Sequence, residues 1–158
     1  MNALVPYGIA GNSSATVQVT TGGGNSAAVS LYLRPAQPEV FNSRGSALAL
    51  NQDNTVNSAA NPAAAGSTVA IFATGGGPVD PAPGDGVITT GTASLINGVT
   101  VRVGGQNATV SYAGGAPGEV AGLVQINVQL PAGVTGQVPV VIKIGDQVSQ
   151  STITVAIR

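Results

Sequence analysis

The chain has 158 residues and a net charge of −1, and 7% of its residues are charged, against about 25% in a typical soluble domain. The five basic residues form no cluster, so binding to a nucleic acid backbone or to anionic lipid headgroups is not expected. The absence of His and Cys excludes zinc, copper and iron–sulfur sites built on those ligands, and also Ser-His-Asp and Cys-His catalysis.

The first 33 residues repeat the pattern of the end of the chain. Asn2 and Pro6 coincide with Asn127 and Pro131 at an offset of 125 residues. Two glycines and two valines follow at the same offset: Gly8 with Gly133, Gly11 with Gly136, Val17 with Ile142 and Val19 with Ile144. At an offset one residue shorter, the matches are Val29 with Ile153, Leu31 with Val155 and Leu33 with Ile157. We therefore predict that residues 1–33 are the three C-terminal strands of a truncated Ig-like domain.

A three-strand remnant exposes an apolar face and an open strand edge. We expect that face to be covered by the chain itself, by self-association through strand swapping or strand addition, or by neighbouring domains of a larger surface protein. The Pro-rich segment 34–38 is predicted to be a stiff linker between the copies. A start at Met1 partway through a copy favours a longer parent protein.

Residues 39–158 are predicted to form one complete Ig-like β-sandwich, so the fold class is all-β. Apolar residues alternate with polar ones in several runs, which is typical of strands with one buried face. The runs lie at 69–73, 99–103, 108–112, 124–130, 138–144 and 153–157. Glycines between them are typical of tight turns. The Gly- and Pro-rich segments 74–94 and 113–122 are expected to be loops at the ends of the sandwich.

Six stretches carry a family resemblance. They are residues 50–57 (LNQDNTVN), 61–66 (NPAAAG), 69–75 (VAIFATG), 101–105 (VRVGG), 112–118 (YAGGAPG) and 122–128 (GLVQINV). These motifs resemble the C-terminal domain that recurs in large secreted proteins of Acidobacteria, which is itself similar to IPT/TIG-type Ig-like domains. The resemblance implies a modular β-protein outside the cytoplasm and carries no catalytic positions to this chain.

One loop presents oxygen ligands at a spacing seen in calcium loops. Asn51, Asp53 and Thr55 occupy alternate positions, and oxygen ligands from such residues suit Ca²⁺. Only one of the three is acidic, and no bidentate Glu follows at loop distance. The alternative interpretation is a hairpin turn built on Asp53 and Asn54.

The sequence favours a non-catalytic role. We expect a structural or adhesive module of a secreted or cell-surface protein, self-associating through the N-terminal strands, with its export signal on a longer precursor and no segment for membrane insertion. A first alternative is a carbohydrate- or ligand-binding module that uses the loops at the sandwich ends. A second is a weak, cation-assisted hydrolase that uses Asp80 and Asp85, which flank a Pro/Gly loop.

Overall fold

Alternating apolar and polar residues produce short strands along most of residues 3–158, the part of the chain that the computed structural model describes. The fold is all-β and of β-sandwich type, which confirms the fold class predicted from the alternation. No helix among residues 3–158 has the length and apolar character needed to cross a membrane.

Within residues 3–158 the regular elements comprise one 3₁₀ turn and seventeen strands. In chain order they are η1 (Tyr7–Ile9), β1 (Ser14–Val17), β2 (Thr20–Thr21), β3 (Gly24–Asn25), β4 (Val29–Tyr32), β5 (Glu39–Val40), β6 (Asn42–Ser43), β7 (Ser46–Ala47), β8 (Ala49–Leu50), β9 (Thr68–Thr74), β10 (Val79–Asp80), β11 (Ser94–Leu95), β12 (Val99–Val103), β13 (Gln106–Gly115), β14 (Val124–Gln129), β15 (Gly136–Ile144), β16 (Gln147–Val148) and β17 (Thr154–Ile157).

Strands β5 to β17 form one hydrogen-bonded network, which we call the sandwich body, and β8, β10, β11 and β16 branch from its main path. The order along this main path is β5-β9-β14-β13-β12-β15-β17-β7-β6. Strand β13 joins the two layers, because its start pairs with β12 and the rest pairs with β14, with a register shift between Val110 and Tyr112. The path begins and ends within residues 39–47, so the first strands of the body touch both layers. The last strand, β17, lies parallel to β7.

The core lies between the two layers and is built from the inward-facing residues of each long strand. Strand β9 buries alternate residues, and so do β14 and β15. The largest fully buried side chains are Ile71, Ile126, Leu130, Ile142 and Ile144. These five side chains are all aliphatic, and burial of each contributes roughly 1.5–3 kcal/mol to the stability of the fold.

The N-terminal segment lies outside this core. Strand β1 pairs with β4, and β2 pairs with β3, while no residue of 3–33 is buried. The expected first strand of the remnant is not formed by residues 3–6, which have no regular structure, and Asn2 lies outside the described residues. The corresponding strand of the body, β14, is held by β9 on one side and β13 on the other. Within residues 3–33 no such neighbours exist to pair with residues 3–6.

Most of the predicted linker packs on the sandwich body. Ala36 and Pro38 are buried, and the N–H of Gln37 donates to the carbonyl of Gly75 at 2.8 Å. Gly75 has φ +72, and a Cβ built there would collide with the carbonyl oxygen of Gln37. Only a glycine therefore permits this close approach. Contacts with the body extend over the rest of segment 34–38, because Arg34 Nη1 donates to Gln147 Oε1 and the carbonyl of Pro35 lies against Gly77.

Candidate interaction surface

The N-terminal hairpin, which we define as residues 14–33, is the most conspicuous unpartnered feature of the molecule. Ser14 pairs with Tyr32, and Val17 pairs with Val29, in an antiparallel register. Antiparallel pairs place side chains of one parity on the same face, so Val17, Val29 and Leu31 share a face. The side chains of this face are apolar, as they would be in a strand pair that covers a core.

The C-terminal hairpin, residues 137–157, has the same hydrogen bonds. In the N-terminal hairpin the Ser26 N–H donates to the carbonyl of Val19 at 2.9 Å, and the Ser26 hydroxyl accepts from the Val19 N–H at 3.0 Å. In the C-terminal hairpin the Ser149 N–H donates to the carbonyl of Ile142 at 2.8 Å, and the Ser149 hydroxyl accepts from the Ile142 N–H at 3.0 Å. The two serines therefore fasten the two hairpins in the same way.

Each serine also makes a second, equivalent bond. The Ser26 hydroxyl donates to the carbonyl of Ala27 at 2.9 Å, and the Ser149 hydroxyl donates to that of Gln150 at 3.2 Å. The tips of the two hairpins also have the same register. Strand β2 pairs with β3 in one tip, and the end of β15 pairs with β16 at the equivalent positions in the other. An apolar alternation alone would not reproduce a side-chain hydroxyl at the same place in both hairpins.

These bonds set the correspondence between the two hairpins residue by residue. Val17 and Val19 correspond to Val140 and Ile142, two residues before the positions that the 125-residue offset predicts. In the second arm, Val29 corresponds to Ile153, because the Thr16–Ser30 pair occupies the place of the Pro139–Thr154 pair. This second match agrees with the sequence prediction.

The two hairpins differ in what covers them. Val17, Val29 and Leu31 are 46%, 54% and 49% exposed, whereas their counterparts Val140, Ile153 and Val155 are all less than 5% exposed. The counterparts are covered by the opposite layer of the sandwich body. The N-terminal hairpin thus exposes an apolar face whose equivalent in the C-terminal hairpin is buried in the core.

The outer edges of the two hairpins differ too. Strand β15 pairs along its free side with β12, and β17 pairs with β7 and lies beside residues 57–65. Among residues 3–158, β1 pairs with β4 alone, and β4 with β1 alone. Unpaired strand edges can pair with other strands. The hairpin therefore combines an exposed apolar face with two open edges.

Short contacts hold the N-terminal segment beside the body. The Tyr7 N–H donates to Asp85 Oδ1 at 2.6 Å, and Arg34 Nη1 donates to Gln147 Oε1 at 3.1 Å. Partial burial raises the pKa of the Tyr7 phenol above 10.0; a hydrogen bond with the Gly122 backbone lowers it in part, and the negative charge of Asp85 adds to the increase. The contacts touch the start and the end of the segment and leave the hairpin itself uncovered.

The predicted calcium loop contains a network of hydrogen bonds. Asp53 Oδ1 accepts from the Thr55 hydroxyl at 2.6 Å and from the Thr55 N–H at 3.0 Å, and these bonds lower the pKa of Asp53. Asn51 Oδ1 accepts from Asn57 Nδ2 at 2.9 Å, and Asn51 Nδ2 donates to the carbonyl of Asn61 at 3.1 Å. The three predicted ligands lie in one loop, where these bonds favour the hairpin-turn interpretation; the calcium site remains a prediction.

Asn57 has a structural role that the alternation of apolar residues does not indicate. Its amide donates to the carbonyl of Ala156 and accepts from the Ala156 N–H, both at 2.9 Å. The side chain thereby imitates a neighbouring strand at the edge of β17. Ala63 and Ala65 continue this edge with backbone hydrogen bonds to β17 and the residue after it. An Asn two residues after the Asp53 and Thr55 turn was the available signal.

Segments 74–94 and 113–122, predicted as loops, include strand β10 and the end of β13, and their remaining parts contact each other. The Thr89 N–H donates to the carbonyl of Glu119, and the Ala121 N–H donates to that of Val87, both at 2.8 Å. A cleft of about 320 Å³ lies between segments 81–84 and 87–93. Thr89 lines it and is 3% exposed, and its Oγ1 has no hydrogen-bond partner among the described residues.

The two aspartates of the proposed hydrolase are placed differently. Asp80 belongs to β10 and pairs with Ser94 in the sheet. Asp85 is exposed and binds the Tyr7 N–H. Among residues 3–158, no group of three acidic side chains is arranged for a metal ion. The structure therefore adds no geometric support for acid–base work by this pair.

Comparison with known protein families, with curated proteins and with solved structures finds no significant match.

Proposed function

We propose that this chain is a non-catalytic structural or adhesive module of a secreted or cell-surface protein, and that it joins other β-domains through residues 14–33. One observation carries the proposal: the N-terminal hairpin repeats the hydrogen bonds of residues 137–157 while its apolar face and both edges are open. A surface built like the inside of a sandwich is stabilised when another sheet covers it, because the apolar side chains leave water.

We propose further that this β-sandwich is an Ig-like module of the IPT/TIG type, in line with the resemblance of its sequence motifs, and that it belongs to an extracytoplasmic modular protein. Two antiparallel layers enclose an aliphatic core, and strand β13 passes between the layers through a register shift. The absence of Cys and the low charge are compatible with a module whose stability comes from its core. In this proposal the core stabilises the module, and the N-terminal hairpin joins it to other β-domains.

Weak self-association is the form of this joining that the chain can display by itself. Val29 and Leu31 are about half exposed, and completing the burial of each would contribute about 1 kcal/mol. Because each of two associating copies contributes both side chains, substituting both by Ser should weaken dimerisation by about 4 kcal/mol, or roughly 1,000-fold in the dissociation constant. The substitutions lie outside the core of the sandwich body, so its melting temperature should remain unchanged.

Sedimentation equilibrium over a wide concentration range measures this effect. The matched control is Val56→Ser with Ile96→Ser, because both side chains are exposed apolar residues of the body. We expect the control to associate as the parent does and the hairpin variant to remain monomeric. A parent chain that stays monomeric up to millimolar concentration would remove self-association from the proposal, and equal loss in both variants would assign it to general surface apolarity.

A second candidate function is carbohydrate or other ligand binding at the loop cleft. The supporting observation is the buried Thr89 hydroxyl, which lines the cleft without a hydrogen-bond partner among the described residues. A ligand hydroxyl could supply that partner, since buried polar groups are nearly always hydrogen-bonded. A glycan array tests this function: binding that Thr89→Val abolishes supports it, and an array without hits refutes the carbohydrate form.

A further inference from the structure

We propose that the N-terminal hairpin is the closing pair of strands of a second sandwich body: a β-domain built like residues 36–135 that lacks its own counterparts of β15 and β17. The inference rests on the proposed function and names the partner that the hairpin fits. In this arrangement β1 takes the place of β15 and β4 takes the place of β17, so that the hairpin completes the partner by strand addition.

The partner's first contact is defined by strand β12 of this chain. In the body, β12 pairs Val103 with Val140 and Val101 with Ile142. Val17 and Val19 occupy the places of Val140 and Ile142 in the N-terminal hairpin. A β12-like strand of the partner would therefore pair along the open edge of β1, with the apolar side chains of both strands directed to one core.

The second contact is defined by the edge beside β17. There the Ala156 backbone is bonded by the amide of Asn57 and by the N–H of Ala63. Tyr32 corresponds to Ala156, and these contacts use only backbone groups of that residue. A partner with an Asn and a chain segment at this place would bind the open edge of β4 in the same way.

The size of Tyr32 determines which body fits. Ala156 is 5% exposed, so this chain's own body closes over the small side chain, whereas Tyr32 is 94% exposed. A phenol ring cannot enter a site that is filled around a methyl group without displacing its neighbours. The fitting partner is therefore a related body with room for an aromatic ring at this position, and not a second copy of this chain.

Face-to-face pairing of two bare hairpins fits less well. Stable complexes bury about 800 Å² on each partner, and each hairpin offers three half-exposed aliphatic side chains on four-residue strands. Such pairing would also leave strand edges open. Self-association is thus expected to be weak. A sandwich body that lacks its closing strands would cover the apolar face of the hairpin and would also pair with its two open edges.

Hairpin transplants into the full chain test the inference. One variant replaces residues 137–149 by 14–26, and another replaces residues 152–157 by 28–33 with Tyr32→Ala. We expect both to unfold cooperatively and to protect the amides of β12 from hydrogen exchange. Matched controls carry Val17→Asp in the first arm and Leu31→Asp in the second, and these should lose the protection. The inference is overturned unless both arms fold and both controls fail.

The second-arm transplant with Tyr32 retained tests the choice of partner. It should fold with an equilibrium constant roughly tenfold or more below that of its Tyr32→Ala counterpart, because overpacking a filled site is destabilising. Equal stability of the two would overturn the exclusion of a second copy. These results are independent of the sedimentation experiment, since a chain that does not self-associate can still yield folded transplants, and an associating chain can yield unfolded ones.

Discussion

Removing the amide of Asn57 should weaken the sandwich strongly, although the residue lies in a loop. The side chain is 5% exposed and makes three hydrogen bonds of 2.9 Å, two with the Ala156 backbone and one with Asn51 Oδ1. In Asn57→Ala the Ala156 carbonyl keeps its bond from the Ala63 N–H. The Ala156 N–H and Asn51 Oδ1 lose the partner that Asn57 supplied.

The cost follows from those two groups. Leaving a buried donor or acceptor unsatisfied costs about 1–3 kcal/mol for each group, so the free energy of unfolding should fall by about 4 kcal/mol. For a domain of this size, each kcal/mol lowers the melting temperature by roughly 3–5 °C. The melting temperature should therefore fall by roughly 10–20 °C, which calorimetry or urea denaturation measures directly.

The control is Asn107→Ala, an exposed asparagine on β13 opposite Arg102. We expect that variant to stay within about 0.5 kcal/mol of the parent, as surface substitutions generally do. A loss below about 1 kcal/mol in Asn57→Ala would refute the reasoning, because it would show that the amide does not hold the edge of β17.

Three further predictions concern the linker contact and the predicted calcium loop. In urea denaturation, Gly75→Ala should lower the free energy of unfolding more than Gly86→Ala does. Both glycines have φ +72, but only the new Cβ at Gly75 meets a backbone carbonyl. Equal losses of unfolding free energy in the two variants would contradict the packing of the linker. At Asp53 the folded pKa lies below the ordinary 3.8, so the stability that its ionised form contributes is present above that value and is lost as the pH falls through the folded pKa. Asp53→Asn should therefore remove part of the acid sensitivity below pH 3.8, while unchanged acid melting would assign no role to the Thr55 bonds. Calcium titration by calorimetry tests the metal prediction: heat that disappears in Asp53→Asn supports a site, and no heat in the parent refutes it.

The alternation of apolar residues determined the fold class and most of the core. Strands β12, β14 and β17 fall within predicted runs, and β9 and β15 extend one or two residues beyond theirs. The runs locate these strands because a residue on the inner face of a strand must be apolar wherever a core covers it. The repeat between the two ends of the chain was also visible in the sequence, and the correspondence of Val29 with Ile153 was predicted correctly.

The register of the first arm could not be read from the sequence. A shift of two residues returns every side chain of a strand to the same face, so an apolar pattern matches equally well at an offset of 125 or two residues earlier. The Ser26 and Ser149 hydroxyls fix the correct choice through their bonds to Val19 and Ile142. Each serine lies seven residues after the apolar residue it bonds, but only the folded hairpin shows that this spacing, and not the 125-residue offset, sets the register.

The sequence by itself determined that this protein is built from short apolar strands and contains two related hairpins. Only the tertiary structure decided that one hairpin is covered and the other is bare, since coverage depends on which distant strands come to lie beside them. Val140 is buried because β12 and the opposite layer reach it, and its counterpart Val17 is 46% exposed because no such layer reaches it among residues 3–158. The same pattern of residues thus becomes a core in one place and an interaction surface in the other.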